Sequence, residues 1–249
     1  MEWRTALFNI SFLCPTLQRP LGLERVWVSA LNTANDPEGI ELIIYAESYD
    51  ESTLNKATEL QNKFGDQIRT IIAPEKLPYG HLHNTCCREA TSDIFMCTTD
   101  DLIFRTQDWD LRIQETFDKY DDKIMYVYPN DGHWGKELGT HGFVHRRWYE
   151  ALGYIHPPIF TADYYDNYLM DVCRSLGRDM YVEEVLIEHM HWTFGKSDFD
   201  KTAQEVHQRR KSTNNAAIYG SQSTHNVQSQ DIAKLQQVID NLKRESSDE

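Results

Sequence analysis

The chain has 249 residues, 40% of them hydrophobic, which is enough for one substantial core and, for an α/β plan, one catalytic domain with a tail. With 25 Lys and Arg against 39 Asp and Glu the formal charge is −14, so contact with nucleic acid or a membrane surface would need a local basic patch that overcomes the global field. No apolar run approaches the roughly 18 residues of a membrane span, and residues 1–4 lead into a strand-like segment without a signal-peptide layout, so a cytoplasmic protein with no membrane partner is expected.

The first strand-like run, residues 6–14, stops at Pro15, and with Pro20 close behind the intervening residues form a loop. A helix is predicted over 23–33, then a near-continuous apolar run at 40–45 of the kind found in strands buried on both faces. A polar turn at 47–52 opens a helix that runs to about Phe64, and residues 68–73 make a third strand. This alternation implies parallel strands joined by right-handed crossovers, with the loops after the strands gathered along one edge, where ligands bind. A helix over 83–90, a strand over 94–98, a helix over 109–119 and a strand over 124–128 continue the pattern. Residues 130–158, rich in Gly, His and aromatics, suit a substrate-facing region of loops and short strands. A helix over 164–176 stops at Gly177, and 181–191 reads as a strand. From about Phe199 polar residues dominate, and 212–229 reads as a linker or poorly ordered segment. Ile232, Leu235, Val238, Ile239 and Leu242 then fall at helical spacing, giving a short amphipathic helix that either docks on its own domain or supports a homodimer. The expected division is a catalytic domain over 1–200 and a polar linker with C-terminal helix over 201–249. The five cysteines are odd in number and lack a C-x-x-C pair, which suits reduced, structural thiols.

Asp100 and Asp101 end an apolar strand at the ligand-binding edge, and paired hard oxygen ligands there suit Mg2+ or Mn2+ bridging a diphosphate. His189 and His191, two apart in the expected last strand, would point to one face. Lys196, in the following loop, is placed to meet a phosphate. His133, Trp134 and the run 139–148 lie where an acceptor would sit, and the basic clusters Arg146-Arg147 and Arg209-Arg-Lys211 read first as solvated surface.

The stretch Asn84-Thr-Cys-Cys-Arg-Glu-Ala-Thr-Ser-Asp-Ile-Phe-Met-Cys-Thr-Thr-Asp-Asp101 resembles the block of family-2 glycosyltransferases in which an Asn-led helix and a strand deliver an Asp-x-Asp metal motif. Cys14-Pro-Thr-Leu-Gln-Arg-Pro20 resembles the opening of the same enzymes, whose first loop wraps the nucleotide. The resemblance covers residues 5–200. It implies a GT-A fold: a Rossmann-like, mostly parallel central sheet flanked by helices in a single domain, with a C-terminal helical tail. It implies a metal-dependent, inverting transferase that takes a nucleotide sugar, a UDP-sugar in the first instance, and glycosylates an acceptor hydroxyl. Pro15, Thr16 and Arg19 would hold the nucleotide, with Glu47 accepting from the base ring, although the family's usual Asp-Asp-Gly-Ser is replaced here by Ala46-Glu47-Ser48-Tyr49. Thr99 stands where the motif has its first Asp, so the metal falls chiefly on Asp101, with Asp100 in support, and His191, or else His189, brings a second ligand. Counting back eleven residues from Gly177 assigns the general base to Asp166, with Asp163 one helical turn earlier as its rival. The compact length and acidic tail are also similar to small bacteriophage glycosyltransferases, some of which decorate hydroxymethylated bases in DNA. The acceptor is then either a hydroxymethylated pyrimidine or a glycan, and the setting for the former is the host cytoplasm. A nucleotidyltransferase shares the parallel sheet and acidic metal site but opens with a Gly-rich loop that is absent here, and an inactive GT-A-shaped binding module is the non-enzymatic alternative.

Overall fold

The computed structural model describes residues 8–74, 77–161 and 163–245. Residues 6 and 7 of the first expected strand, the segment before them and the last four residues of the tail lie outside the described residues. Strands β1 (Ile10–Pro15) and β2 (Ile40–Glu47) are buried along their whole length, which explains their unbroken apolar character. β3 (Ile68–Ala73) pairs with β2 and β4 (Ile94–Cys97) with β1, all parallel. Helices α1 (Pro20–Thr33), α2 (Glu51–Phe64) and α3 (Tyr79–Glu89) connect them. α1 begins three residues before the expected Leu23, because Pro20 fits a helix's first position, where its missing N–H costs no bond.

The second half departs from strict alternation. β5 (Leu102–Phe104), too short to read in the sequence, follows Asp101, and α4 (Trp109–Phe117), β6 (Tyr126–Asn130), β7 (Phe143–His145) and α5 (Arg146–Leu152) come next. α6 (Tyr165–Leu176), closed by Gly177 in the left-handed region at φ 64°, leads to β8 (Asp179–His189). Among the described residues these make an eight-stranded sheet of order β3-β2-β1-β4-β7-β6-β8-β5. β7 lies antiparallel between β4 and β6, and β5 lies antiparallel on β8. This is the GT-A plan expected above.

Alternate residues of the central strands feed two cores. Ile10, Phe12 and Cys14 pack with α1, α2 and α4, whereas Leu13, Ile43 and Tyr45 pack with α3, α5 and α6. Glu41, buried within β2, accepts from the Thr91 amide at 2.6 Å and the Ser11 hydroxyl at 2.5 Å and pairs with Arg69, joining three strands to the turn before β4. All five cysteines are buried and unpaired, as expected. Among the described residues no helix is long and apolar enough to cross a membrane.

The segment expected to be a linker is helical instead. α7 (Lys201–Ser212), α8 (Asn215–Tyr219) and α9 (Gln222–Glu245) follow one another, capped in turn by Asp200 and Asn214 for the first two. Their polarity reflects helices that cover a surface with one face and meet water with the rest. Leu235 and Ile239 of α9 are buried in the second core, with Ile232 and Val238 packed beside them, which is the docked alternative of the two weighed above. Asp231 fixes the docking, accepting from the Tyr154 hydroxyl at 2.7 Å and the Tyr168 hydroxyl at 2.8 Å. Asp231→Ala would leave two tyrosine hydroxyls without their acceptor, at a cost of about 2 kcal/mol or more. It should lower the melting temperature by several degrees and expose 222–245 to limited proteolysis, with Asp231→Asn, which keeps one acceptor oxygen, falling between the two.

Candidate active site

The loops after β1, β2 and β4 open on one edge of the sheet, as their parallel order requires. A cleft of about 610 Å3 lies there, lined by Pro15, Thr16, Arg19, Glu47, Asp100 and Asp101 from these loops. The far wall brings Asp163 from just before α6 and Asp166 from its first turn, His189 from the end of β8, His191 from the turn that follows it, and His141 from the loop before β7.

The two adjacent aspartates face different partners. Asp100 accepts from the Thr16 hydroxyl at 2.7 Å and from Arg19 at 3.1 Å. Burial nonetheless pushes its carboxyl above the usual range, Arg19 opposing the shift and the charge of Asp101 adding to it. Asp101 turns the other way and meets His189 Nε2 at 3.3 Å. Burial works to raise this carboxyl as well, but the hydrogen bond and charge of His189 outweigh it and hold Asp101 well below the usual carboxylate range.

Asp101, His141 and His189 offer ligand atoms that all lie within 4.8 Å of one another. Backbone bonds set this convergence: the Met190 amide donates to the Asp101 carbonyl at 2.7 Å, the His189 amide to the Asp131 carbonyl at 3.0 Å, and the Cys97 amide to the Gly142 carbonyl at 3.0 Å. His141 itself sits in the left-handed region at φ 52°. The donor set of one carboxylate and two imidazoles suits a first-row divalent ion such as Mn2+ better than Mg2+, which prefers oxygen ligands throughout. Burial, and then the neighbouring His189, push His141 down to about 3, so it stands as a neutral imidazole ready to ligate.

His191 falls outside the converging set. β8 ends at His189, so the two histidines do not share a strand face; His191 instead caps a short 3-10 turn (Trp192–Phe194), its Nδ1 2.7 Å from the Thr193 hydroxyl. It still lines the cleft beside His189, ring centroids 5.2 Å apart. Lys196 is drawn elsewhere: its ammonium pairs with Glu188 at 3.0 Å and it is not among the cleft-lining residues, which corrects the phosphate contact expected for it.

The two candidate bases also separate. Asp163 pairs with Arg210 of α7 at 2.7 Å, whereas among the described residues no cation pairs with Asp166. Burial pushes the Asp166 carboxyl up to about 7, with His189 opposing and Asp163 and Asp131 adding. The basic cluster read as solvated surface is partly inside the site, since Arg209 and Arg210 line the cleft. α7 reaches it because Asp200, at its N-cap, grips Arg19 through two bonds of 2.8 Å, and Thr202 donates to the Leu17 carbonyl at 2.8 Å. Asp131 braces the loop that follows it by accepting from the amides of His133 at 2.9 Å and Trp134 at 2.7 Å, leaving the Trp134 ring on the cleft rim at 44% exposure. The sequence places His141 in the run 139–148 on the acceptor side and gives no sign of it as a metal ligand beyond its setting between small residues in Gly139-Thr-His-Gly142, where a left-handed turn is easily made.

Residues 11–180 match the model of a family described as glycosyl transferase family 2. No curated protein gives a significant match. Among solved structures the fold is similar to that of the mannosyltransferase PcManGT from Pyrobaculum calidifontis in complex with GDP-Man and Mn2+, at 15% identity and a TM-score of 0.58, over 77% of this chain and 61% of that one. It is similar to S. aureus TarS 1-349 at 11% identity and a TM-score of 0.56, over 93% and 81% of the two chains. TarS 1-349 has also been solved in complex with UDP-GlcNAc. The glucosyl-3-phosphoglycerate synthase from Mycobacterium tuberculosis, in complex with phosphoglyceric acid, matches at 15% identity and a TM-score of 0.53, over 74% and 72%. The chain spans 61% of the length of the mannosyltransferase, and identities this low speak to the fold.

Which histidines hold a metal is open to direct measurement. Mn2+ titrated calorimetrically should bind the wild type, and Asp101→Ala and His141→Ala should each weaken binding at least about tenfold, because each removes a ligand. His191→Ala should bind almost as the wild type does, and the reverse ranking would return the site to His191.

Proposed function

Because the chain belongs to glycosyl transferase family 2, we propose that its cleft holds a nucleotide-sugar diphosphate with a divalent metal and transfers the sugar to an acceptor hydroxyl with inversion. One observation carries this reading: a carboxylate and two imidazoles converge in the same cleft as an aspartate, Asp166, whose carboxyl burial pushes up to about 7. Pro15, Thr16 and Arg19 cradle the nucleotide, and Glu47 at the end of β2 faces its base. Asp101, His141 and His189 hold the metal, with Asp100 fixing Arg19 and Thr16 beside it. When bound, Mn2+ or Mg2+ would offset the charge that grows on the departing diphosphate. Arg19, Arg209 and Arg210 add positive charge to the cleft of a protein that is otherwise strongly acidic. Asp166 takes the proton from the acceptor hydroxyl as that oxygen bonds to the anomeric carbon and the bond to the diphosphate breaks. Asp163, held by Arg210, steadies α7 over the cleft rather than acting as the base.

GDP-Man and UDP-GlcNAc are the ligands of two of the similar solved proteins, and a UDP-sugar is the donor to test first. For the acceptor, the net charge of −14 favours a glycan over a hydroxymethylated pyrimidine in DNA, and the exposed Trp134 ring offers a face on which a sugar ring stacks.

Thermal unfolding with a panel of nucleoside diphosphates and Mn2+ tests the donor site. A ligand at a hundredfold excess over its dissociation constant stabilises the native state by about 2.7 kcal/mol, so one nucleotide should give a clear shift that Asp101→Ala abolishes. No shift with any nucleotide would defeat the transferase reading, and turnover of hydroxymethylated DNA but not of glycans would reverse the acceptor preference.

The base is tested by pH. Asp166 must be deprotonated to act, so kcat/KM should rise with pH through about 7 and then level. Asp166→Asn should abolish that rise and lower kcat by about 10^2 to 10^4-fold. The same raised pKa means that the fold favours the protonated carboxyl, a contribution complete below about pH 4 and lost as pH rises through about 7. The unliganded Asp166→Asn protein should therefore melt higher than the wild type at pH 8, and a lower melting point there would show the carboxylate to be structurally required.

A further inference from the structure

His156 is 1% exposed and, among the described residues, neither of its ring nitrogens has a hydrogen-bond partner, yet it lines the cleft. Polar groups shut away from water are normally paired, and an imidazole has a donor and an acceptor to satisfy. The backbone that carries it is pinned in place. Asn84, buried in α3, accepts from the amides of Ile155 at 2.8 Å and His156 at 3.1 Å, and donates to the carbonyls of His156 at 2.7 Å and Gly80 at 3.1 Å. The ring is thereby held against those of His83 and Tyr165, at centroid distances of 5.1 Å and 5.0 Å, and both of these residues also line the cleft.

The two neighbours locate this ring cluster relative to the chemistry. His83 Nε2 lies 3.2 Å from the carbonyl of Thr98, two residues before Asp100, and Tyr165 immediately precedes Asp166. The imidazole of His156 therefore packs on one neighbour that adjoins the strand end carrying the proposed metal ligand Asp101 and on another next in the chain to the proposed base Asp166. A sugar whose anomeric carbon lies between the leaving diphosphate and Asp166 occupies the cleft that His156 also lines.

Resting on the transferase reading, we infer that His156 determines specificity for the transferred sugar, its imidazole giving one hydrogen bond to, and taking one from, the hydroxyls of the donor's sugar ring. A hydroxyl offers both roles, so it satisfies the two ring nitrogens that the protein leaves unpaired. Burial, with His83 adding, lowers the pKa of the ring, which keeps it in the neutral form that has one donor and one acceptor. A site built to pair a hydroxyl discriminates strongly against a ligand that lacks it or presents it elsewhere. The clamp at Asn84 is the positioning element that makes such discrimination possible.

The test compares, by calorimetry with Mn2+, the affinities for UDP-GlcNAc, UDP-glucose, UDP-galactose and GDP-mannose with those for UDP and GDP, in wild type, His156→Leu and His156→Gln. For at least one sugar the ratio of sugar-nucleotide to diphosphate affinity should fall at least about tenfold in His156→Leu. The diphosphate affinity and the unliganded melting temperature should hold or rise, and His156→Gln, which keeps a donor and an acceptor, should recover part of the loss. A ratio unchanged in His156→Leu for every sugar overturns the inference, as does a parallel loss of diphosphate affinity and stability in both variants, which marks a core histidine. If the wild type binds neither UDP nor GDP with Mn2+, the transferase reading fails and the assignment of His156 falls with it.

Discussion

Asp100 and Asp101 are neighbours in sequence, carry charge of the same sign and lie largely out of water, an arrangement that persists only if each is compensated from its own side. The N-terminal half of the chain serves Asp100, through Thr16 at 2.7 Å and Arg19 at 3.1 Å. The C-terminal half serves Asp101, through His189 at 3.3 Å. Charge therefore draws the first loop and the last strand onto the end of β4, where parallel pairing has already placed that end at the mouth of the cleft. Packing enforces the same contact: a Cβ on Gly22 would lie 2.4 Å from the Asp100 carbonyl oxygen, so only glycine lets α1 pass this close.

The antiparallel part of the sheet supplies what parallel crossovers cannot. β7 inserts between β4 and β6, so the loop that enters it crosses the cleft floor and carries His141 beside His189, their Nε2 atoms 3.4 Å apart. That loop runs close to the sheet, and a Cβ on Gly142 would come within 2.3 Å of the Tyr126 ring. A one-residue strand slip here would move every side chain to the opposite face, so the position of His141 depends on the packing of Tyr126 as well as on the turn.

The polar C-terminal segment completes the cleft. α7 is tied to the first loop by Asp200 and Thr202 and to the start of α6 by Arg210, so one helix bridges two sides of the cleft. α9 is anchored further away, by Leu235 and Ile239 in the second core and by the tyrosine hydroxyls on Asp231. The roof of the cleft is held mainly by ion pairs and the tail beyond it by apolar burial. Ion pairs of this partly exposed kind are weak and exchange readily, whereas apolar burial is the more persistent attachment.

The order of elements through β4, both doubly buried strands and the stop at Gly177 were legible in the sequence, because local periodicity, proline and glycine act over a few residues. Asp101 and Asp166 could be singled out there on motif and spacing, and both line the cleft. β5 and β7 could not, since three residues carry no measurable period and exist as strands only through partners far along the chain. The helices of 212–229 read as a linker because their polarity matches water on most faces, and only the body beneath them explains their order. His141 joined the site, Lys196 left it for Glu188, and His191 moved off the strand face, each by the fold of a loop. Residue types and their local spacing determined which chemistry the chain carries; long-range pairing decided which of those groups meet, because distances between loops are set by the packing of elements remote in sequence.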